Sequence, residues 1–250
     1  MKIIIFVPGY LASQTCSSAG DNYLGVYKYA VNECYEFVYV PIPNNNYGDV
    51  GNATLDDCLA YVLKEYNKIC VERKLSQDDS ITLVGHSMGG LIVSKLITEE
   101  YLRQLKCVPN CVRLINPAIG PSTSLCNAVL GTVLSYVPES VLGLPIVPLP
   151  LAGRNVLYPG SMPSALGVKV LLGSSLLRTT GKLLVNNKKW MLKPETNIRE
   201  HIRIIQCKDD KLVSFDTTRD HAKEYKLQMD VIPTGYHAFF DEAVLTATFE

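Results

Sequence analysis

Residues 2–7 (KIIIFV) carry five apolar side chains in an unbroken, β-branched run, stopped by Pro8-Gly9. With no polar residue alternating in it, neither side of such a strand can face water, so the run predicts a strand buried on both faces, as in a parallel sheet covered by helices. Comparable runs recur at 36–42 (EFVYVPI), 80–84 (SITLV), 111–115 (CVRLI), 201–207 (HIRIIQC) and 227–232 (LQMDVI). Between them lie segments with helical periodicity. In 54–74, Thr54 is placed to cap, and Leu55, Leu59, Val62, Leu63, Tyr66 and Ile69 share one face. In 88–105, Leu91, Ile92, Leu96 and Leu105 are the expected buried positions, and further helices are expected near 216–225 and 238–247. Strand and helix in alternation predict an α/β architecture: a three-layer α/β/α sandwich with a mostly parallel sheet of about six strands.

The stretch 121–195 interrupts this rhythm with many Pro, Gly and Ser residues and is expected to be a cap inserted into a core formed by 1–120 and 196–250. A membrane-spanning reading of 128–151 fails, because Glu139 and four prolines break it. The 250 residues carry 24 Lys plus Arg against 24 Asp plus Glu. That balance gives no large positive field, so nucleic acid is not an expected partner. The eight cysteines, at 16, 34, 58, 70, 107, 111, 126 and 207, contain no C-x-x-C pair. Zinc is therefore not expected, and no other metal or cofactor is called for. The N-terminal apolar run is too short for a secretory signal and lacks a cleavage site. The cysteines accordingly read as reduced thiols in a cytoplasmic chain, and the Asn52-Ala53-Thr54 sequon as accidental.

The strongest local signal is Gly85-His86-Ser87-Met88-Gly89-Gly90, which contains G-x-S-x-G between a predicted strand and a predicted helix. A serine on so sharp a turn is held in a strained backbone conformation, with its hydroxyl clear of the sheet and glycines on either side to avoid clashes. The following helix points its N-terminal amides at the place where negative charge would develop. In this motif, the Pro-Gly turn after the first strand and two later segments, the sequence resembles the α/β-hydrolase family from residue 2 to about 248, outside the insertion. The resemblance implies that fold and the chain order nucleophile, acid, base.

A serine hydroxyl needs a base, and the base needs a partner that fixes its tautomer. Of four histidines, His86 lies within the turn with its ring expected to point away from the hydroxyl. His201 opens a strand on the wrong side of the acid, and His221 is expected on the solvated face of a helix. His237, in Gly235-Tyr236-His237-Ala238-Phe239-Phe240, resembles the family's catalytic histidine loop. The resemblance places the acid two residues before a pair of aliphatics, which selects Asp210 ahead of Leu212 and Val213, with Asp209 the alternative. It implies an oxyanion hole made by the main-chain amide of Met88 and an amide of the loop Pro8-Gly9-Tyr10-Leu11, with Tyr10 assigned and Leu11 the alternative. Pro8 departs from the family, which often has His there; the donor being a main-chain group, the mechanism does not depend on it.

These parts are those of a serine hydrolase cleaving carboxylic esters or thioesters, of esterase, lipase or thioesterase type, through an acyl-serine. The insertion carries seven basic residues against two acidic, a net charge of +5, which leaves −5 for the rest of a neutral chain. A basic, Leu- and Val-rich cap suits lipid-like substrates or peripheral contact with an anionic membrane surface. The competing reading is a catalytically idle member of the fold that binds a lipid or protein partner through its cap.

Overall fold

The computed structural model describes residues 1–9, 23–43, 45–46, 49–50, 55–119, 196–210, 213–235, 237 and 240–249. Six strands form one sheet: β1 (Lys2–Val7), β2 (Glu36–Tyr39), β5 (Ser80–His86), β6 (Cys111–Ile115), β7 (Ile202–Cys207) and β8 (Gln228–Ile232). Their spatial order is β2-β1-β5-β6-β7-β8, and every pairing is parallel. A separate antiparallel pair joins β3 (Asn45–Asn46) and β4 (Asp49–Val50).

Alternation along each strand divides the core into two layers. Ile3, Ile5, Ile81, Leu83, Val112, Leu114, Ile202 and Ile204 belong to one cluster, with α2 (Leu55–Glu72) and α3 (Met88–Leu96) packed into it. Ile4, Phe6, Val84, Ile115, Ile205 and Cys207 face the other way, where α1 (Leu24–Asn32) contributes Val26 and Ala30 and α6 (Glu242–Phe249) contributes Val244. The three-layer α/β arrangement expected from the sequence is thus the one observed. Of the helix faces expected to be buried, all the named residues of the described helices are buried except Leu63, which is half-buried against the same cluster.

The differences have local causes. β2 ends at Tyr39, although the Val40 amide still donates to the Phe6 carbonyl; Pro41 has no N–H with which to continue the ladder. The helix expected over 88–105 is two, α3 and α4 (Glu99–Leu102), because Thr98 between them is extended and its hydroxyl turns back on the Lys95 carbonyl. α5 (Phe215–Tyr225) begins one residue early, capped by the Ser214 hydroxyl, which accepts from the Thr217 amide. His221 on that helix is buried against the ring of Tyr225, not solvated; the helix turns this residue toward the sheet, where Ala222 beside it joins the core. Burial lowers the pKa of His221. The last helix starts at Glu242 and not at 238, since Asp241 caps it by accepting from the Val244 amide. α1 was not among the expected elements, although Tyr23, Val26, Tyr27 and Ala30 keep helical spacing. The cap expected over 121–195 lies outside the described residues.

The strand order reverses at β1: the chain passes from β1 to β2 on one side, then crosses to β5 on the other. A crevice opens at the carboxyl ends of the strands flanking such a point, where ligands bind in open α/β sheets. The register sets its floor. Val7 is level with Gly85, His86 with Ile115, and Cys207 with Ile232, so residues 8–9, 87, 116 and 208–210 leave the sheet at one rim.

Phe6 is fully buried between Tyr23, Phe37 and Tyr39. We expect Phe6→Ala to destabilise the fold by about 3–5 kcal/mol in urea unfolding, the range for emptying a large core site. A change below about 1 kcal/mol would mean that this layer collapses to fill the space.

Candidate active site

Ser87 occupies the single residue between β5 and α3, with φ 53° and ψ −118°. A non-glycine residue held at positive φ is strained, and persists only where its surroundings over-determine it. Here the Ser87 amide donates to the Ile115 carbonyl, and the Ser87 carbonyl accepts from the amides of Leu91 and Ala118. Gly89 lets α3 sit directly against the end of β1, since a Cβ there would fall inside the carbonyl oxygens of Val7 and Pro8.

Three side chains from separated segments meet above this turn. His237 Nε2 lies 2.7 Å from Ser87 Oγ, and His237 Nδ1 lies 2.7 Å from Asp210 Oδ2. The Asp210 side chain is 0% exposed and that of His237 5%. The second Asp210 oxygen accepts from the Val213 amide at 3.0 Å, so the turn after β7 fixes the carboxylate in place. Of the two sequence candidates for the acid, Asp210 makes this contact, while Asp209 is exposed on the same turn. Met88 is buried as the first residue of α3, and Tyr10 lies outside the described residues.

Behind the three lies a polar layer that the sequence reading left unassigned. The carbonyl of His237 accepts from His86 Nε2 at 2.7 Å and from Asn116 Nδ2 at 2.9 Å. Asn116, at φ 41°, also accepts from the Cys207 amide through Oδ1 and so ties the ends of β6 and β7 together. Its position, a polar residue directly after the strand segment CVRLI, was the available signal for it. His86 turns its ring away from the serine, as expected, into contact with Tyr23, His237 and Phe240. Burial, and then the neighbouring His237, lower its pKa to about 3. The described cysteines are unbridged, and burial raises the thiols of Cys58 and Cys70 to about 12 and that of Cys207 to about 11.

This fold and this rim are those of the α/β-hydrolase superfamily. Within it, the family described as serine aminopeptidase, S33, matches residues 52–243, and the chain belongs to that family. No curated protein sequence matches the chain significantly. Among solved structures, a soluble variant of monoglyceride lipase from Saccharomyces cerevisiae, in complex with a substrate analog, is similar with a TM-score of 0.61 at 11% identity, covering 99% of this chain and 83% of that one. A lipase-esterase related protein from Clostridium acetobutylicum is similar with a TM-score of 0.56 at 19% identity, covering 98% and 90%. A Pyrococcus furiosus esterase has a TM-score of 0.56 at 15% identity, covering 95% and 73%. At these identities the likeness is one of fold. No described helix is long and apolar enough to cross a membrane.

The neutral His86 has a consequence for pH. An unfolded histidine binds a proton near pH 6.5, and the folded one only near 3, so between these values the unfolded state holds more protons. The stability tied to His86 is complete above about 6.5 and falls as the pH drops, by roughly 1.4 kcal/mol per unit. We expect unfolding free energy to drop about 2 kcal/mol more for wild type than for His86→Gln between pH 7 and 5, measured in urea. Parallel profiles would contradict it.

Proposed function

We propose that the protein is a serine hydrolase that cleaves carboxylic esters or thioesters through an acyl-serine intermediate. The observation that carries this reading is the continuous chain Ser87 Oγ, His237 Nε2, His237 Nδ1, Asp210 Oδ2, with both links at 2.7 Å. A general base must lie within hydrogen-bond reach of the proton it takes, and these atoms do.

In the first half-reaction Ser87 Oγ attacks the substrate carbonyl as its proton passes to His237 Nε2. Asp210 accepts from His237 Nδ1–H throughout, fixing the tautomer that leaves Nε2 free and stabilising the imidazolium as it forms. The oxyanion is met by the Met88 amide at the start of α3 and by an amide of the loop after β1, assigned to Tyr10 with Leu11 the alternative. His237 then gives the proton to the leaving group. In the second half-reaction it takes a proton from water, whose oxygen attacks the acyl carbonyl, and returns that proton to Ser87 Oγ as the acyl C–O bond breaks and the carboxylic acid leaves. Residues 121–195 act as a cap on the core; being apolar and basic, they favour lipid-like esters and contact with an anionic membrane surface. The names of the similar structures, an esterase, a lipase-esterase related protein and a monoglyceride lipase, lean the same way, whereas the family description names a peptidase.

A panel of p-nitrophenyl esters graded by chain length, thioesters and aminoacyl p-nitroanilides tests the substrate class. We expect ester or thioester turnover to exceed anilide turnover, and preferential anilide cleavage would move the reading to a peptidase. Ser87→Ala is expected to lower kcat by about 10⁴-fold or more, since members of such a triad act as a unit. Asp210→Asn is expected to lose about 10³- to 10⁴-fold while Asp209→Asn stays within about threefold of wild type. An unimpaired Asp210→Asn would transfer the role to another carboxylate.

A further inference from the structure

We propose that Tyr23 and His86 are positioning residues: a hydrogen-bond relay of fixed direction that holds the main chain of His237 in register with the loop following β1. Its catalytic consequence rests on the hydrolase reading above, although the relay itself can be tested without it.

Four groups lie in sequence. The Gly9 amide donates to the Tyr23 hydroxyl at 2.8 Å, Tyr23 Oη is 2.8 Å from His86 Nδ1, and His86 Nε2 is 2.7 Å from the His237 carbonyl. A carbonyl can only accept, so His86 Nε2 carries a proton. A neutral imidazole has one N–H, which leaves Nδ1 as an acceptor, and the Tyr23 O–H therefore donates to it. Every bond then runs the same way, from Gly9 through Tyr23 and His86 to His237.

The neutral state has an electrostatic reason. The rings of His86 and His237 have centroids 5.0 Å apart. His237 becomes cationic when it takes the Ser87 proton, and a second imidazolium at that distance in a buried site would oppose the step. His86 meets the need for a buried donor beneath the base without bringing a charge.

The ends of the relay lie on two loops far apart in sequence. Gly9 precedes Tyr10, the residue assigned as oxyanion donor, and His237 carries the base. Gly9 also rests on the turn itself: a Cβ there would stand 2.9 Å from His86 Nδ1 and 3.0 Å from Ser87 Cβ. The relay thus sets the spacing between donor loop, nucleophile and base, which catalysis needs to within a fraction of an ångström. Asn116 provides the second donor to the His237 carbonyl, so loss of one relay member weakens the placement of the base without abolishing it.

Tyr23→Phe removes one oxygen and keeps the ring, which packs on Phe6, His86 and Phe240. The experiment joins ¹⁵N NMR of ring-labelled histidines to p-nitrophenyl acetate kinetics on the full chain. In wild type we expect His86 as the neutral Nε2–H tautomer, without titration from pH 8 to 5. Tyr23→Phe should remain folded and lose about 10- to 100-fold in kcat, with KM within about threefold. His86→Gln, which keeps an N–H at the reach of Nε2, should retain more kcat than His86→Leu. An Nδ1–H tautomer or a charged His86 at pH 7 would overturn the relay. A Tyr23→Phe kcat within about twofold of wild type, or equal losses in His86→Gln and His86→Leu, would overturn its positioning role. A wild type that turns over no ester would instead sink the ester-hydrolase reading, and the tautomer alone would then decide whether the relay exists.

Discussion

Everything at the rim is referred to one constraint: the backbone of Ser87 is held at positive φ between a buried strand and the helix that follows it. That conformation is unfavourable for a residue with a Cβ, and three hydrogen bonds with residues 91, 115 and 118 hold it in place. They come from α3 and from β6 and the turn after it, so the sheet register and the helix start both act on the same residue. Its hydroxyl lies 2.7 Å from Nε2 of His237, which arrives from the segment after β8.

The site is layered in polarity. Nearest the crevice, Ser87, His237 and Asp210 form a hydrogen-bonded chain. Beneath it, Tyr23 and His86 form a chain that ends on the His237 carbonyl, where Asn116 supplies a second, separate donor. Below both, the β-branched residues of β1, β5, β6 and β7 exclude water. Burial has opposite consequences in the two polar layers. In the proposed mechanism it strengthens the contact between Asp210 and the charge that would develop on His237, and it lowers the pKa of His86, so that no second charge would sit beneath His237.

Much of this was legible from residue order alone. β1 was readable because a parallel strand buried on both faces is continuously apolar, and the G-x-S-x-G turn because its glycines stand between a strand and a helix. Asp210 and His237 followed from the resemblance to the family, through the acid's place before an aliphatic pair and the histidine loop, and the choice of Asp210 over Asp209 agrees with which carboxylate faces His237. What was not legible depends on contacts across the fold. His221 looked solvated because a polar residue in a polar helix gives no sign of which face meets the sheet. Tyr23 and Asn116 carry no motif. Their role arises only when β1, β5, β6 and the His237 segment come level at one rim. α1 was missed because its four-residue apolar pattern is short and its N-terminus has no side-chain cap.

The most direct measurement is labelling of the folded wild-type chain with a fluorophosphonate, followed by peptide mapping of the adduct. The account requires a single phosphonylated residue, Ser87, formed at a rate that collapses in His237→Ala. A folded wild type that resists the probe, or an adduct on any other residue, would contradict it.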